Sequence, residues 1–273
     1  MPRFCARGWC CMNALHIQVE GIGLWSPQCA DLDAFRRHLA GETASTSHAR
    51  PNASALSANE RRRAPESVLV AVEAASQAIA ASGRGTDNLA CVFTSAYGDQ
   101  ATTDYMCRVL AHAPTELSPT RFHNAVHNAS AGYWTIATGC RAPSSAICAG
   151  RASFGAGLLE AAALACADDR AVLLVNSDTA GTGPLGELIG CTRVFGCALV
   201  LSPCTTTGMR LRLATTASSP RHSPMSAECQ AWMQANPAAE SLPLLIMLAT
   251  GRGDCVLAVS EHLGLHVEME TNA

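Results

Sequence analysis

Charged residues are scarce in this chain of 273 residues, at 15% of the composition, and aromatic residues are scarcer still, at 5%. No apolar run approaches the roughly 20 residues that a membrane-spanning helix needs, and the amino terminus lacks the apolar segment of a secretory signal. The formal net charge of −3 provides no general attraction to nucleic acid or to an anionic membrane. These absences argue against a membrane span and a nucleic-acid-binding role, and they favour an ordinary globular protein.

Metal-binding patterns are also missing, although the chain has 14 cysteines. No two cysteines form a C-x-x-C pair, and no histidines cluster at the spacing of metal ligands. Several cysteines, such as Cys91 and Cys197, sit inside apolar runs, which is typical of buried free thiols in a reducing compartment. We therefore expect a cytoplasmic protein that has no metal and no other cofactor.

Strand-like and helical patterns alternate along the chain after a cysteine-rich start. We expect residues 1–12 to be a disordered extension and residues 13–273 to form one domain. Short apolar or alternating runs predict strands at 15–21 (ended by Gly21 and Gly23), 89–95, 145–149, 171–176, 195–202, 209–215, 254–260 and 263–270. Helical spacing predicts helices at 31–40 with Asp31 as the N-cap, 66–82, 102–111, 129–139, 151–167 and 227–234. Loops are predicted at 41–57, 179–188 and 218–224, and no element is predicted between 235 and 253. This alternation predicts an α/β fold whose sheet lies between helical layers.

One segment carries the clearest resemblance to known proteins. It reads SPTRFHNAVHN over residues 118–128 and continues with Ala131-Gly132 and Thr135-Ile136. It resembles β-ketoacyl synthases of the thiolase-like fold. It is most similar to the short amino-terminal-domain relatives called chain length factors, which occur in bacterial gene clusters for aryl polyene pigments. Further matches follow in the same order, at 21–27 (GIGLWSP), 61–63 (RRR), 93–95 (FTS) with GD at 98–99, and 154–160 (FGAGLLE).

The resemblance covers nearly the whole chain after Met12. Full-length enzymes of this family have five layers, α/β/α/β/α, and a chain of this length holds the first half and a reduced remainder. The resemblance therefore implies a thiolase-like fold reduced to a layered α/β/α arrangement with a mixed sheet.

A ketosynthase needs a cysteine at the start of a buried helix, where a strand-to-helix turn, the elbow, exposes the thiolate to backbone N–H groups. Here that turn lies within residues 145–153. Running the family's pattern without gaps from Asn128 and Pro143 puts Arg151 at the nucleophile position, and arginine cannot act as an acyl nucleophile because it stays protonated. Placing Cys148 there requires a three-residue gap. Cys148 is then either a usable thiol or a small buried residue on a core strand.

The two histidines that the family uses to stabilise negative charge are also in doubt. His222, His262 and His266 lie outside the His-Gly-Thr and Asn-x-x-Gly-His settings of active enzymes, and we expect the last two to be solvated. His123 and His127 lie in the matching segment, which the family places near its dimer interface. The chain therefore lacks a complete Cys-His-His set.

Arg151 has two possible roles in such a chain. Chain length factors commonly carry Gln or Glu at the elbow, so an arginine departs from that pattern as well. It could pair with an acidic group of a partner, or fill the elbow and point to solvent. If it is buried, a carboxylate or phosphate must accompany it.

The favoured function is a non-catalytic subunit like a chain length factor. It would pair with a full-length ketosynthase that supplies the catalytic residues, and it would shape the acyl tunnel across the interface. The residues predicted for this interface and tunnel are Phe122, His123, His127, Asn128, Gly132, Tyr133, Trp134 and Phe154. Small residues at 129–132 permit close approach, and the aromatic residues could anchor the partner or pack in this chain's own core.

Two other functions remain open at this point. The chain could be a reduced acyltransferase that uses Cys148, or a homodimer that binds acyl groups or a carrier protein without catalysis. An acyl carrier protein, whose recognition surface is acidic, could dock on Arg61, Arg62 and Arg63, although a solvated loop or helix start explains three arginines equally simply.

Overall fold

The computed structural model describes residues 14–42, 50–204 and 208–270. The predicted extension at residues 1–12 lies outside these residues. Ten helices are described: α1 Leu32–Leu39, α2 Ala58–Arg63, α3 Glu66–Ser82, α4 Gln100–His112, α5 Pro119–Asn124, α6 Ala129–Thr138, α7 Ser153–Asp168, α8 Gly183–Ile189, α9 Ala227–Ala235 and α10 Leu242–Thr250. Eight strands are described: β1 Leu15–Trp25, β2 Ala90–Thr94, β3 Ser144–Ile147, β4 Val172–Asp178, β5 Phe195–Pro203, β6 Met209–Thr216, β7 Asp254–Ala258 and β8 Gly264–Glu270.

All eight strands form one mixed sheet in the order β3-β2-β4-β5-β1-β6-β8-β7. β2 pairs in parallel with β3 and β4, and the remaining pairs are antiparallel. Apolar side chains of α3 and α6 pack on one face of the sheet, and those of α1, α7, α9 and α10 pack on the other. The predicted layered α/β/α arrangement with a mixed sheet is confirmed.

Strand β1 is longer than predicted, because Gly21 and Gly23 do not end it. A Cβ atom at Gly21 would lie 2.1 Å from the carbonyl oxygen of Ala78, and one at Gly23 would lie 2.0 Å from that of Ala74. The two glycines therefore let the backbone of α3 lie directly on the middle of the sheet. Glycines in a strand can mark close packing as well as a strand end, and the prediction that these two end the strand was wrong.

The carboxyl-terminal third contains helices that the sequence did not predict. Residues 179–188 were predicted as a loop, but α8 begins at Gly183, with Pro184 in its first turn and Gly190 in the left-handed conformation after its end. A proline and a glycine can begin and end a short helix, and they can also mark a loop. A 3-10 turn at Pro237–Ser241 and α10 fill the stretch in which no element was predicted.

Other predictions were close to the structure. Helix α3 has the predicted bounds, α6 begins at the predicted Ala129, and the Asp31 carboxylate caps α1 by accepting the Ala34 N–H. None of the described helices is long and apolar enough to cross a membrane.

Candidate functional site

The elbow joins edge strand β3 to helix α7 through residues 148–152. Gly150 takes a left-handed conformation (φ +56°), which turns the chain sharply towards the helix. The Ser153 hydroxyl accepts the Ala149 N–H at 2.9 Å and lies 2.7 Å from the Gly150 carbonyl oxygen. The turn is thus fixed by the first residue of α7, and Arg151 directly precedes the helix cap, Ala152.

The Arg151 side chain is held by a carboxylate of its own chain. Its Nε and Nη2 groups donate to the same oxygen of Glu240, at 2.9 and 2.7 Å, and Nη2 also donates to the carbonyl oxygen of Met233. Glu240 lies in the 3-10 turn before α10. The guanidinium is therefore neither unpaired nor dependent on a partner's acid, which the sequence alone could not show. The side chain keeps 44% exposure.

A cavity of about 150 Å³ adjoins this ion pair. Arg151, Glu240, Met233 and His222 are among its lining residues. His222 lies in the predicted Ser/Pro-rich loop, and its Nδ1 donates to the Ser223 carbonyl oxygen. The space beside the elbow therefore contains an ion pair and one histidine.

Cys148 lies on the elbow turn and is exposed, so its interpretation as a buried residue on a core strand is wrong. The chain leaves β3 at Ile147, one residue earlier, which brings the Cys148 side chain to the surface. Its thiol donates to the carbonyl oxygen of Ala96 at 2.9 Å. A carbonyl oxygen does not take up the proton, so this contact does not activate the sulfur.

The remaining histidines of the carboxyl-terminal part are away from the elbow. His262 is exposed in the turn between β7 and β8. His266 is only 24% exposed on β8, where its Nε2 lies 3.1 Å from Asp254, so the expectation that it is solvated was wrong. His266 lies opposite Val256 in the β7–β8 pairing, so its side chain is on the same face of the sheet as that of Asp254, two residues before Val256. Within the described part of the chain, no group of three or more His, Cys, Asp or Glu residues is arranged to hold a metal ion.

Asp178 is a buried charge beneath the elbow that the sequence analysis did not single out. It ends β4 with 3% exposure, and its carboxylate accepts the Ser95 hydroxyl at 2.6 Å and the Ala96 N–H at 2.9 Å. Burial raises the pKa of this carboxyl from 3.8 to about 7, against the opposing effects of these hydrogen bonds and of Arg151. An acidic residue at the end of an apolar strand was the available sequence signal.

The predicted interface residues divide between the surface and the core. Phe122 (59% exposed) is at the surface, and Ile136 (73%), from the matching segment, is exposed as well. Trp134 and Phe154 are each 2% exposed, so both pack in the core and cannot contact a partner directly. Trp134 shares the inward face of α6 with Ala131, whereas Gly132 and Ile136 share the outward face.

The outward face of α6 borders a cavity of about 550 Å³. His123, Asn128, Gly132, Tyr133 and Ile136 line it together with residues of α2 and α5. The Tyr133 hydroxyl donates to Asn124 at 3.1 Å, and the rings of His123 and Tyr133 meet edge to face. The structure thus places four of the predicted interface residues, His123, Asn128, Gly132 and Tyr133, around one open, largely apolar cleft.

His127 stands apart from this cleft, on the side of the elbow. Its Nε2 donates to the Ser95 carbonyl oxygen at 3.3 Å. It therefore connects the start of α6 to the turn after β2.

Known structures share this fold. A chain in the complex of the ketosynthase ApeO with its chain length factor ApeC from Xenorhabdus doucetiae is 24% identical (TM-score 0.70, covering 93% of this chain and 99% of that chain). The ishigamide ketosynthase/chain length factor gives 15% identity (TM-score 0.68, 94% and 100%). A type II polyketide synthase acyl carrier protein in complex with its hexaketide-bound ketosynthase gives 12% (TM-score 0.65, 93% and 99%). At these identities the matches show the thiolase-like ketosynthase fold.

Among curated proteins, no match to the sequence was found. Residues 36–262, by contrast, match the amino-terminal domain of β-ketoacyl synthases. This match spans most of the chain and includes α6, the elbow and α7. The chain therefore belongs to the β-ketoacyl synthase family, through the amino-terminal domain of those enzymes.

Proposed function

We propose that this chain is a non-catalytic, chain-length-factor-like subunit that pairs with a full-length β-ketoacyl synthase. The pair would act in a type II polyketide or fatty-acid-like system, and the aryl polyene pathways are the finer proposal, which follows from the resemblance. The partner would supply the nucleophilic cysteine and both histidines. This chain would supply one wall of the acyl tunnel.

The observation that carries the proposal is the ion pair at the elbow. Arg151 precedes the cap of α7, where the family places its nucleophile, and its guanidinium is bound to Glu240. A guanidinium neither attacks a thioester nor gives up its proton.

The exposed β3 edge and the face of α6 support pairing with another chain. β3 ends the sheet, and no described strand pairs with its outer side. Helix α6 contacts β3 and carries Ile136, and Phe122 and Val126 lie shortly before α6 in the chain; all three side chains are more than half exposed. An unpaired strand next to exposed apolar side chains favours association with a further chain. We propose that the cleft of about 550 Å³ on this face becomes part of the acyl tunnel once the partner covers it.

An acyl carrier protein is the second proposed partner. Arg61, Arg62 and Arg63 occupy the last turn of α2, and Arg62 and Arg63 are exposed. This cluster suits an acidic surface. Arg62→Glu should weaken carrier-protein binding to the assembled pair, whereas Arg37→Glu, in the last turn of α1, is a matched control that should not. Equal effects of the two variants on carrier-protein binding would show that α2 is not the docking site.

A cytoplasmic location is proposed on the state of the cysteines. Every cysteine that the structure describes is a free thiol, and most are buried. Free thiols are typical of reducing compartments. Alkylation and intact-mass measurement of the protein taken directly from cells tests this. Disulfides in that protein would contradict the proposal.

The test of the main proposal is co-expression with the full-length ketosynthase encoded nearest to this chain, followed by affinity purification and size analysis. The expected result is a one-to-one complex that elongates acyl chains on a carrier protein, while this chain alone is inactive. Elongation by the isolated chain would overturn the proposal. A stable homodimer that ignores the ketosynthase would favour the carrier- or acyl-binding alternative.

Cys148 is tested in the same assay, because its exposure leaves acyl transfer through its thiol open. Cys148→Ala should leave elongation by the complex unchanged, and intact-mass spectra should show no acyl adduct on this chain. Loss of elongation together with an adduct at Cys148 in the unmodified chain would establish the acyltransferase alternative.

A further inference from the structure

One face of helix α10 borders a cavity that no part of the proposed function uses. Pro243, Ile246, Met247 and Thr250 are three and four residues apart, so they share one side of this helix. All four line a cavity of about 390 Å³. The cavity follows the helix from its first turn to its end, over a length of about 10 Å. Its volume is within the range of small-molecule sites, roughly 300–1,000 Å³.

The opposite wall of this cavity belongs to the loop between β6 and α9. Pro224 and Met225 line it with apolar side chains, and Met225 also packs against the core of the molecule. Met247, on the helix, is only 5% exposed. Methionine side chains adapt to the shape of an apolar guest. The cavity therefore offers apolar surface on two sides to a ligand that lies along the helix.

This cavity adjoins the smaller one of about 150 Å³ at the elbow, because His222 and Pro243 line both of them. Beyond these two residues, Met233, Val256 and Leu257 give the smaller cavity apolar walls. The two cavities together form an elongated space, which begins at the end of α10 and reaches the ion pair at the elbow.

One cation stands at the outer end of this space without a carboxylate of its own. Arg252 lines the larger cavity, is exposed, and forms no ion pair with any residue that the structure describes. Asp254 lines the same cavity, but its carboxylate lies 3.0 Å from Arg221 and 3.1 Å from His266. The charge that remains for a ligand at this end is therefore positive.

We propose that this space binds a medium-chain carboxylate, whose head pairs with Arg252 and whose alkyl chain lies along α10 and passes His222 towards Met233. An arginine can hold a carboxylate through two parallel hydrogen bonds. The apolar walls remove the alkyl chain from water, which favours binding. The site is separate from the cleft on the α6 face, and it does not depend on pairing with a ketosynthase.

Methionine methyl resonances test this site in the isolated chain. Met225 and Met247 line the larger cavity and Met233 lines the smaller one, whereas no methionine is among the described residues that line the α6 cleft. The chain is labelled with methionine that carries carbon-13 in its methyl group, and substitution of each of the three by leucine assigns its resonance.

Decanoate should shift the resonances of all three methionines in a saturable titration. Hexanoate, which is too short to pass His222 while its head is at Arg252, should shift only those of Met225 and Met247. Absence of any shift from decanoate overturns the proposal.

Arg252→Gln tests the binding of the anionic head. Because Arg252 is exposed, the fold should tolerate the change. The dissociation constant for decanoate should rise roughly three- to fivefold, as expected for the loss of one partly exposed ion pair. Binding of decan-1-ol, which has no charge, should stay the same.

Arg37→Gln is the matched control, since Arg37 is also an exposed arginine, in the last turn of α1. It should bind decanoate as the unmodified chain does. Equal losses from Arg252→Gln and Arg37→Gln would reveal a general attraction between charges and would contradict a site at α10.

His222→Trp tests the path of the alkyl chain. His222 is exposed, and a larger ring at this position would fill the junction of the two cavities. Decanoate should then still shift the resonances of Met225 and Met247, and no longer that of Met233. A Met233 shift that persists in this variant would place the alkyl chain elsewhere and overturn the proposed path. Every readout comes from the isolated chain, so failure of this site is distinct from failure of the proposed function.

Discussion

The two edges of the sheet are built in opposite ways. At the β7 edge, the loop after β6 adds a backbone bridge, in which Arg221 and Val256 exchange N–H···O bonds of 2.7 and 3.1 Å. Asp254 ties that loop down through Arg221 and His266. At the β3 edge, no described strand or loop provides such a bridge, and Ile136 of α6, the helix that contacts β3, is 73% exposed.

Natural proteins cover or twist those sheet edges that must not pair with another chain. The β7 edge follows this rule within one chain, whereas the β3 edge leaves its backbone groups and an apolar helix face available. The β7 edge is therefore closed by this chain itself, whereas the β3 edge is where the proposed partner would add its own backbone groups. Variants at each edge test whether the two edges differ in this way.

The largest expected effect is that of Ile136→Arg. Because Ile136 is 73% exposed, the change should leave the fold of the isolated chain intact. In the complex it would bury an unpaired guanidinium, so the dissociation constant for the ketosynthase should rise roughly 100-fold or more. Isothermal titration or analytical ultracentrifugation measures the effect.

Leu263→Arg is the matched control for this variant. Leu263 is also an exposed aliphatic residue, with 36% of its surface accessible, but it lies in the turn at the β7 edge. Its change should alter the dissociation constant by less than about threefold. Similar losses at the two positions would show that the edges do not differ as argued.

Ala146→Pro tests the backbone of the β3 edge and should have the second largest effect. The carbonyl oxygens of Pro143 and Ile147 accept from β2, so strand alternation turns the N–H of Ala146 outwards. Proline removes that donor without removing a hydrogen bond inside the chain. If a partner strand pairs here, binding should weaken roughly 10- to 30-fold, corresponding to one or two lost hydrogen bonds.

Ala146→Gly keeps the N–H and serves as the control for this substitution. It should bind the ketosynthase within a few fold of the unmodified chain. Comparable weakening by glycine and proline would mean that the side chain matters at Ala146 and that no partner strand uses its N–H.

Sequence patterns predicted the long helix α3 and the apolar strands better than the region around the Arg151–Glu240 ion pair. The long α3 and the apolar strands have strong periodicity, and Asp31 gave the correct cap of α1. Helix α10 is nine residues long and apolar on nearly all sides, so it has no polar face by which a helical period could be recognised. The Pro237–Ser241 turn, which carries Glu240, lacked such a signal as well.

The site was predictable only where the family pattern applied. Arg151 was found from its place in that pattern, but its partner Glu240 lies 89 residues further on, a pairing that only the tertiary fold creates. For Trp134 the sequence left an interface anchor and a core residue both open, because the pattern of α6 does not show which of its faces turns inwards. Asp178 needed the structure, since its hydrogen bonds come from a turn more than 80 residues away.

The third prediction contrasts the buried charge behind the β3 edge with the exposed charges of the β7 edge. The pKa of Asp178 is about 7 in the fold, above its ordinary 3.8. Its contribution to stability is therefore fully present only below about pH 4, and it is lost as the pH rises through 7. Between pH 6 and 8 the unmodified chain should lose on the order of 1–2 kcal/mol of unfolding free energy relative to Asp178→Asn.

Urea denaturation of both proteins at pH 6, 7 and 8 measures this difference. The comparison between them cancels the titration of other groups that the two chains share. A difference in unfolding free energy that stays constant from pH 6 to 8 would show that the buried carboxyl does not titrate there.

The smallest effect is expected for Asp254→Asn at the β7 edge. Asp254 is 43% exposed and its partner Arg221 is 60% exposed, so solvent screens the pair. At about 0.1 M salt the loss of unfolding free energy should be about 0.5 kcal/mol. It should vanish near 1 M salt, where the screening length falls to about 3 Å. Ketosynthase binding should not change, because the backbone bridge between Arg221 and Val256 does not need the carboxylate. Self-association of Asp254→Asn would show instead that side-chain charges, and not this bridge, keep the β7 edge closed.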